Sequence, residues 1–441
     1  MKFTKLSLIA MMLIGSSAFA IENTKVSGDA RLYYGTQDSD VSGAADMFNK
    51  DASYTNFSAR LDLTTDLTKG VSAGIGAQIV TTLGVEHNLV SAVWSNAHTA
   101  SGSTGATFAG GAQADSAMWI DEAWLAGTAF DTTLKIGRQS LDTPFAFTET
   151  WGVDKNTFEA VVLINQSLPD TTIIATYIGK SNGSADDRAS LREGGSGSLN
   201  DLGVTAGGYV AADGEFSTFG TNGTYAFGVV NNSLKPLTVQ AWYYDMQQLA
   251  TAYWLQADLN LDGILAGVQY MNTELSDGAN LGTLGVVTNG NDTTGWSAML
   301  GYEMKDVVTL KIAYSDIDED GTLGVANTAT GSVATLGGQS KLYTEMWWNY
   351  GVVSASGAES LAISAETTVG PEIDLFAGYY YSENDKGFTD TDLTEITLTA
   401  SKSFGPLDTS LAIIYADSND NVTSGNDVKT TDIQVYLTYN F

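Results

Sequence analysis

From Val26 to the end of the chain, apolar and polar residues alternate with a period of two, broken only by stretches rich in turn formers. In the first such stretch Val26, Gly28, Ala30, Leu32 and Tyr34 share one face, and Ser27, Asp29, Arg31 and Tyr33 the other. In the last, Thr431, Ile433, Val435, Leu437, Tyr439 and Phe441 alternate with Asp432, Gln434, Tyr436, Thr438 and Asn440. A dyad repeat of this kind is a β-strand with one oily face and one wet face. It predicts strands at 24–34, 53–66, 71–82, 118–128, 132–139, 156–167, 171–181, 221–231 and 235–245. The second half of the chain adds 250–260, 263–273, 293–303, 307–316, 359–368, 373–383, 392–403, 407–416 and 430–441. About 18 strands result, each long enough to cross a hydrocarbon layer at a tilt.

The connections sharpen this picture. Those at 66–70, 128–132, 168–170, 232–235, 261–263, 304–306, 369–372 and 404–406 are short, and each alternates with a longer polar segment. Tight turns on every other connection are what an up-and-down transmembrane barrel requires. Pro169, Pro236, Pro371 and Pro406 sit in short turns and Pro144 in a loop, so no proline removes a ladder hydrogen bond. A solenoid would show a fixed short repeat, and none is present. Sandwich domains give no reason for strict short-long alternation. The expected fold class is all-β, a transmembrane antiparallel up-and-down β-barrel. The segment 341–350, with Trp347 and Trp348, reads either as a loop element folded inward or as a further strand.

Compartment follows from the amino terminus. Lys2 and Lys5 precede an apolar run from Leu6 to Ile14 and the small-x-small tripeptide Ala18-Phe19-Ala20. Residues 1–20 therefore read as a signal peptide and 21–441 as the barrel. The chain has no cysteine, which excludes a disulfide scaffold and thiolate chemistry. Its formal net charge is −31, and removing Lys2 and Lys5 makes that about −33. An acidic excess of this size disfavours nucleic acid as a partner. The mean hydropathy of −0.03 is too polar for a helical bundle in lipid and fits a barrel with a wet interior.

The run Leu134-Lys135-Ile136-Gly137-Arg138-Gln139-Ser140-Leu141-Asp142-Thr143-Pro144 resembles Gram-negative outer-membrane porins, in which a strand ending in a Gly-Arg-Gln-like motif leads into the third external loop. Asn156-Thr157-Phe158-Glu159-Ala160 resembles the re-entry segment of the OprD-like channels, and the layout is similar to the major outer-membrane porins of epsilonproteobacteria. The resemblance implies a third loop folded into the barrel, a homotrimer, the cell outer membrane of a Gram-negative bacterium as the location, and Phe441 as the signal read by the barrel-assembly machinery. The acidic composition departs from the basic ladder of the OprD-like channels.

A pore needs a polar lumen and a constriction with a defined field. Parity places Arg31 and Arg60 inward with Asp29 and Asp62 beside them, and places Lys135 inward. Arg138 breaks the parity of Leu134 and Ile136, so it faces inward only through a bulge or if the strand has ended. The loop from Ser140 to Lys155 supplies Asp142, Glu149 and Asp154. Opposed basic wall and acidic loop would orient dipolar solutes; the alternative is simple pairing along a wet interior. Tyr33, Tyr34, Trp124, Tyr177, Tyr243, Trp254, Tyr270, Tyr302, Tyr379, Tyr381, Tyr415 and Tyr439 fall mostly near strand ends, where interfacial girdles form. Asp316, Asp318 and Asp320 open like a calcium loop, although Asn327 stands where the bidentate Glu belongs. No cofactor is required on this reading, with Ca²⁺ in the external loops as an option. Both histidines, His87 and His98, lie in one Gly/Ser-rich loop, which gives no support to a hydrolase. The functional expectation is a water-filled, cation-preferring channel for small hydrophilic solutes and ions. The rival is a sealed barrel acting as an adhesin through its loops at 83–117, 182–220 and 317–358.

Overall fold

The computed structural model describes residues 22–81, 83–85, 89–90, 92–93, 116–183, 214, 216–220, 222–276, 292–331, 338–370, 372–384, 391–420 and 426–441. Residues 1–21, on which the expected signal peptide falls, both histidines, Pro371 and most of the loops at 83–117 and 182–220 lie outside the described residues. Eighteen long strands form the wall: β1 (Glu22–Ser39), β2 (Ser53–Thr68), β3 (Val71–Thr81), β4 (Ser116–Ala129), β5 (Thr132–Gln139), β6 (Phe158–Asn165), β7 (Thr171–Ser181), β8 (Thr224–Asn231) and β9 (Leu237–Met246). The circuit continues with β10 (Ala250–Leu261), β11 (Ile264–Leu275), β12 (Thr293–Met304), β13 (Val308–Ile317), β14 (Glu359–Val369), β15 (Ile373–Glu383), β16 (Thr391–Phe404), β17 (Leu407–Asp420) and β18 (Asn426–Asn440). Each is antiparallel to its sequence neighbour, and β18 pairs with β1 from Asp29↔Asn440 to Ser39↔Thr430. The cylinder is thus closed, without an open edge.

The short connections are built from residues that accept positive φ. Phe130 (φ 51) and Asp131 (φ 59) join β4 to β5, and Asp262 (φ 50) with Gly263 (φ 89) joins β10 to β11. Two consecutive left-handed residues match the twist of the flanking strands, so these turns set register. Strand ends differ from the sequence expectation mainly at the other rim, where β1 runs on to Ser39, β17 to Asp420, and β18 begins at Asn426. There the ladder continues among polar residues whose weak alternation hides it.

The two faces are chemically opposite. Leu125, Leu134, Ile136, Leu255, Val268, Leu300, Ile312, Ile363, Leu398 and Ile413 are exposed on the outside. Ser58, Gln78, Thr176, Gln269, Ser297, Ser315, Thr397 and Gln434 are buried on the inside. An apolar exterior around a polar interior is a membrane-spanning barrel. Tyr225, Tyr243, Tyr253, Tyr270, Trp296, Tyr302, Tyr379 and Tyr439 face outward, whereas Tyr33 and Trp254 are fully buried inside and leave the girdle.

A second, apolar core lies within the cylinder. Two connections fold inward, residues 140–157 between β5 and β6 and, of the connection between β13 and β14, residues 318–331 and 338–358. Phe145, Leu342, Met346 and Val353 from these loops pack with Trp242, Tyr244, Trp254, Met271, Tyr380 and Leu393 from the wall. The segment 341–350 belongs to the second inward loop and contains no strand.

Candidate functional site

The first inward loop crosses the whole lumen. It leaves β5, and the Phe145 ring meets Tyr244 at 5.4 Å and Trp254 at 5.5 Å, both edge-on, against β9 and β10. It then returns to the opposite wall, where Arg31 Nη1 donates to the Thr150 and Gly152 carbonyls at 3.4 and 3.1 Å, and the Ser58 hydroxyl donates to the Val153 carbonyl. A loop fixed at both sides of a barrel narrows it.

On the β1–β5 wall the charges cluster. Arg60 Nη2 lies 2.7 Å from Asp62 Oδ1 and 3.1 Å from Glu122 Oε1, with Nε 3.0 Å from Asp121 Oδ2. Asp121 and Glu122 are sequence neighbours, yet both point inward because the β3–β4 register slips between Gly76 and Ala77. A bulge of this kind spares one residue from pairing and re-aims its side chain. Gly76 makes the room: a Cβ there would stand 2.6 Å from Asp62 Oδ1 and 2.8 Å from Asp121 Oδ1. Lys155, returning from the loop, binds Glu122 Oε1 at 2.6 Å and Ser140 Oγ at 2.8 Å. Arg31 pairs with Asp29 at 2.8 Å, and Lys135 Nζ lies 4.3 Å from the Trp124 ring centre.

Arg138 does not join them. Strand β5 continues through Gln139 without a slip in register, so Arg138 keeps the outward parity of Leu134 and Ile136. It pairs with Glu159 at 2.9 Å and stacks over Phe216 at 4.0 Å, while buried Gln139 takes the inward position. The expectation of Arg138 at the constriction is corrected accordingly.

The loop acids divide into two kinds. Glu149 is buried and accepts from Asn327 Nδ2 at 2.9 Å, Trp151 Nε1 at 3.2 Å and the Thr330 hydroxyl. Burial pushes its carboxyl above the ordinary range. Asn327 and Thr330 belong to the second inward loop, so Glu149 joins the two loops rather than facing the water path. Asp154 is likewise buried. Asp142 is 83% exposed and meets Lys341 of the second loop at 2.7 Å.

The second loop is anchored by carboxylates too. Glu395 of β16 accepts from the Trp348 and Asn349 backbone N–H groups and from Asn349 Nδ2 at 3.1, 2.8 and 2.8 Å. Tyr343 donates to Asp258 at 2.5 Å, and Glu345, half-buried and raised well above the ordinary carboxyl range by desolvation, accepts from Ser340. Trp151 and Trp348 meet edge-on at 5.5 Å, closing the contact between the loops.

This architecture recurs in solved structures. Acinetobacter baumannii OccAB1 matches with a TM-score of 0.67 over 96% of this chain and 98% of its own, at 14% identity. The fold is that of the OprD-like barrels. Pseudomonas aeruginosa OccK9 (OpdG) gives 0.66 at 14% identity over 95% and 99% of the two chains. Pseudomonas aeruginosa OpdK, solved with vanillate, gives 0.65 at 11% identity over 95% and 99%. No protein-family model and no curated protein matches this chain.

Within this OprD-like barrel the structure gathers Arg31, Arg60, Lys135 and Asp142 at the lumen, and adds Asp121, Glu122, Lys155 and Lys341. Asp121 and Glu122 required knowledge of the bulge. Lys155 and Lys341 sit in loops without periodicity; their only sequence signal is a lone cation in an acidic chain. Asp316, Asp318 and Asp320 do not converge: among the described residues no group of three acidic or histidine side chains is placed to hold a metal. Asp318 instead caps the Asp320 N–H at 3.0 Å.

Proposed function

We propose that the protein is an outer-membrane channel passing small hydrophilic solutes and ions by passive diffusion. The observation that carries this reading is the pair of inward loops fixed across a polar lumen; we read the charged side chains of the β1–β5 wall and of the Asp142–Lys341 seam as the rim of its eyelet. An adhesin has no need of arginines and carboxylates facing one another inside the cylinder. The structural relatives support the reading through fold alone, and the vanillate found with OpdK belongs to that protein.

Cation preference is part of the proposal. On the β1–β5 wall Asp29, Asp62, Asp121 and Glu122 offset Arg31, Arg60, Lys135 and Lys155, and the acidic excess of the lumen comes from Asp258, Glu395 and Asp432 on the remaining wall. Arg31, Lys135 and Lys341 moderate it and confer orientation on dipolar solutes. We assign constriction roles to Arg31, Arg60, Lys135 and Asp142, and a loop-joining role to Glu149. Export by the amino-terminal signal, recognition of Phe441 by the assembly machinery and a homotrimeric state complete the reading.

Purified protein in a planar bilayer tests it. Discrete conductance steps and a reversal potential of cation sign in a salt gradient are the expected results. A barrel that inserts without conducting contradicts the channel, and an anion-sign potential contradicts the preference.

A further inference from the structure

Beneath the second inward loop, toward the short-turn end of the barrel, lies a cavity of about 730 Å³ between β12 and β16. Glu303, Asp306, Glu366 and Asp374 contribute to its lining, together with the faces of Phe376 and Trp347. Trp347 is held in place because the next two backbone N–H groups, of Trp348 and Asn349, donate to buried Glu395. Among the described residues no cation lines the cavity; Lys311, beside it, occupies one oxygen of Glu366 at 3.1 Å. Asp374 accepts from Thr368 at 2.7 Å, and Glu303 and Asp306 carry no side-chain hydrogen bond among the described residues. Each carboxylate has room for about four hydrogen bonds, so most of that capacity faces the water of the cavity.

We infer that this vestibule is a binding site for an organic cation, an ammonium group carried on an apolar stem, met after the eyelet on the way to the periplasm. The inference rests on the channel reading and names a solute class for it. An ammonium presents donors to the carboxylates, its stem lies against Phe376, and the face of Trp347 attracts the charge. The cavity is within the size range of small-molecule sites, and four carboxylates on one concave lining give it a negative field. A dicarboxylate meets the same field as repulsion.

The test uses 1,5-diaminopentane and succinate on single channels of the full protein, each added to one side of the bilayer at a time. The diamine is expected to interrupt the current, with longer blocks from the side that reaches the vestibule first, and succinate to leave it unchanged. Trp347→Ala and Glu303→Gln should each shorten the block about fivefold, the scale of a single cation–π or charge interaction. Normal conductance without diamine block overturns the site while sparing the channel. Should the protein carry no current, calorimetry of the folded barrel in detergent decides the site separately. Saturable one-to-one diamine binding, weakened in both variants, supports it; no binding, or binding unchanged in both, overturns it.

Discussion

Arg60 shows how one residue organises a wall. Three carboxylates, Asp62, Asp121 and Glu122, lie within 3.1 Å of its guanidinium, and its side chain is 15% exposed. Removing one partner from such a set leaves the others desolvated and mutually repelling. Arg60→Ala should therefore lower unfolding stability by roughly 3 kcal/mol, read as a lower urea midpoint by tryptophan fluorescence, with Arg60→Lys recovering part of the loss. An unchanged midpoint in Arg60→Ala would contradict the cluster. Glu149 and Glu345 make the complementary point, since burial holds both carboxyls above the ordinary value of 4.5. The folded loops keep a proton that a released carboxyl gives up at lower pH. Their junction is thus strongest on the acid side, and its stability declines as pH rises from the ordinary carboxyl range through the raised one. Channel conductance should rise over that window, and the Glu149→Gln, Glu345→Gln double variant should give a flat profile; a double variant that still follows the wild-type curve would refute the assignment.

At the scale of elements, what was legible in the chain follows from what has a period. Strands β5, β7 and β15 begin and end where alternation places them, because a one-residue slip would put Leu134 or Tyr379 in water and Lys135 or Ser382 in lipid. The inward sides of Arg31, Arg60 and Lys135 follow from the same rule. The bulge at Asp121 escapes it, since an extra residue is invisible until the partner strand is known. The inward loops escape it entirely: Lys155 and Lys341 reach the lumen through contacts with Glu122 and Asp142 that no local pattern encodes. Deleting Asp121 should make the β3–β4 ladder regular and remove one inward carboxylate, moving the reversal potential toward zero while the barrel still inserts. A potential as cation-selective as before would separate Asp121 from selectivity. At the other end of the wall, the Phe441 ring covers Gly28, where a Cβ would come within 2.6 Å of it, and the Phe441 and Gly28 backbones exchange hydrogen bonds of 2.9 and 3.0 Å. Phe441→Asp puts a charge on that lipid face and should reduce folded, membrane-inserted protein several-fold, measured by heat-modifiable gel mobility, with unit conductance of the remainder unaltered. Normal yields of inserted Phe441→Asp protein would contradict this.

For the molecule as a whole, closure and obstruction are separate constructions. The wall would be wide and wet by itself, and the two loops reduce it by packing one apolar core against β8–β16 and a smaller one, through Trp151, Val153 and Trp348, against Tyr33, Tyr54 and Tyr436 of β1, β2 and β18. On the channel reading, selectivity belongs to the seam between wall and loops rather than to the strand count. The pairing of β18 with β1 has another consequence, for the life of the chain rather than its conduction. The partners at this seam are Tyr34 with Val435 and Arg31 with Thr438, drawn from opposite ends of the polypeptide. A chain cut short before β18 keeps an odd set of strands, and its β17 could meet β1 only in parallel, against the alternation of every other wall strand. Prematurely terminated or clipped products thus lack the antiparallel seam that closes this cylinder, and the ladder that completes the wall also separates a whole chain from a shortened one.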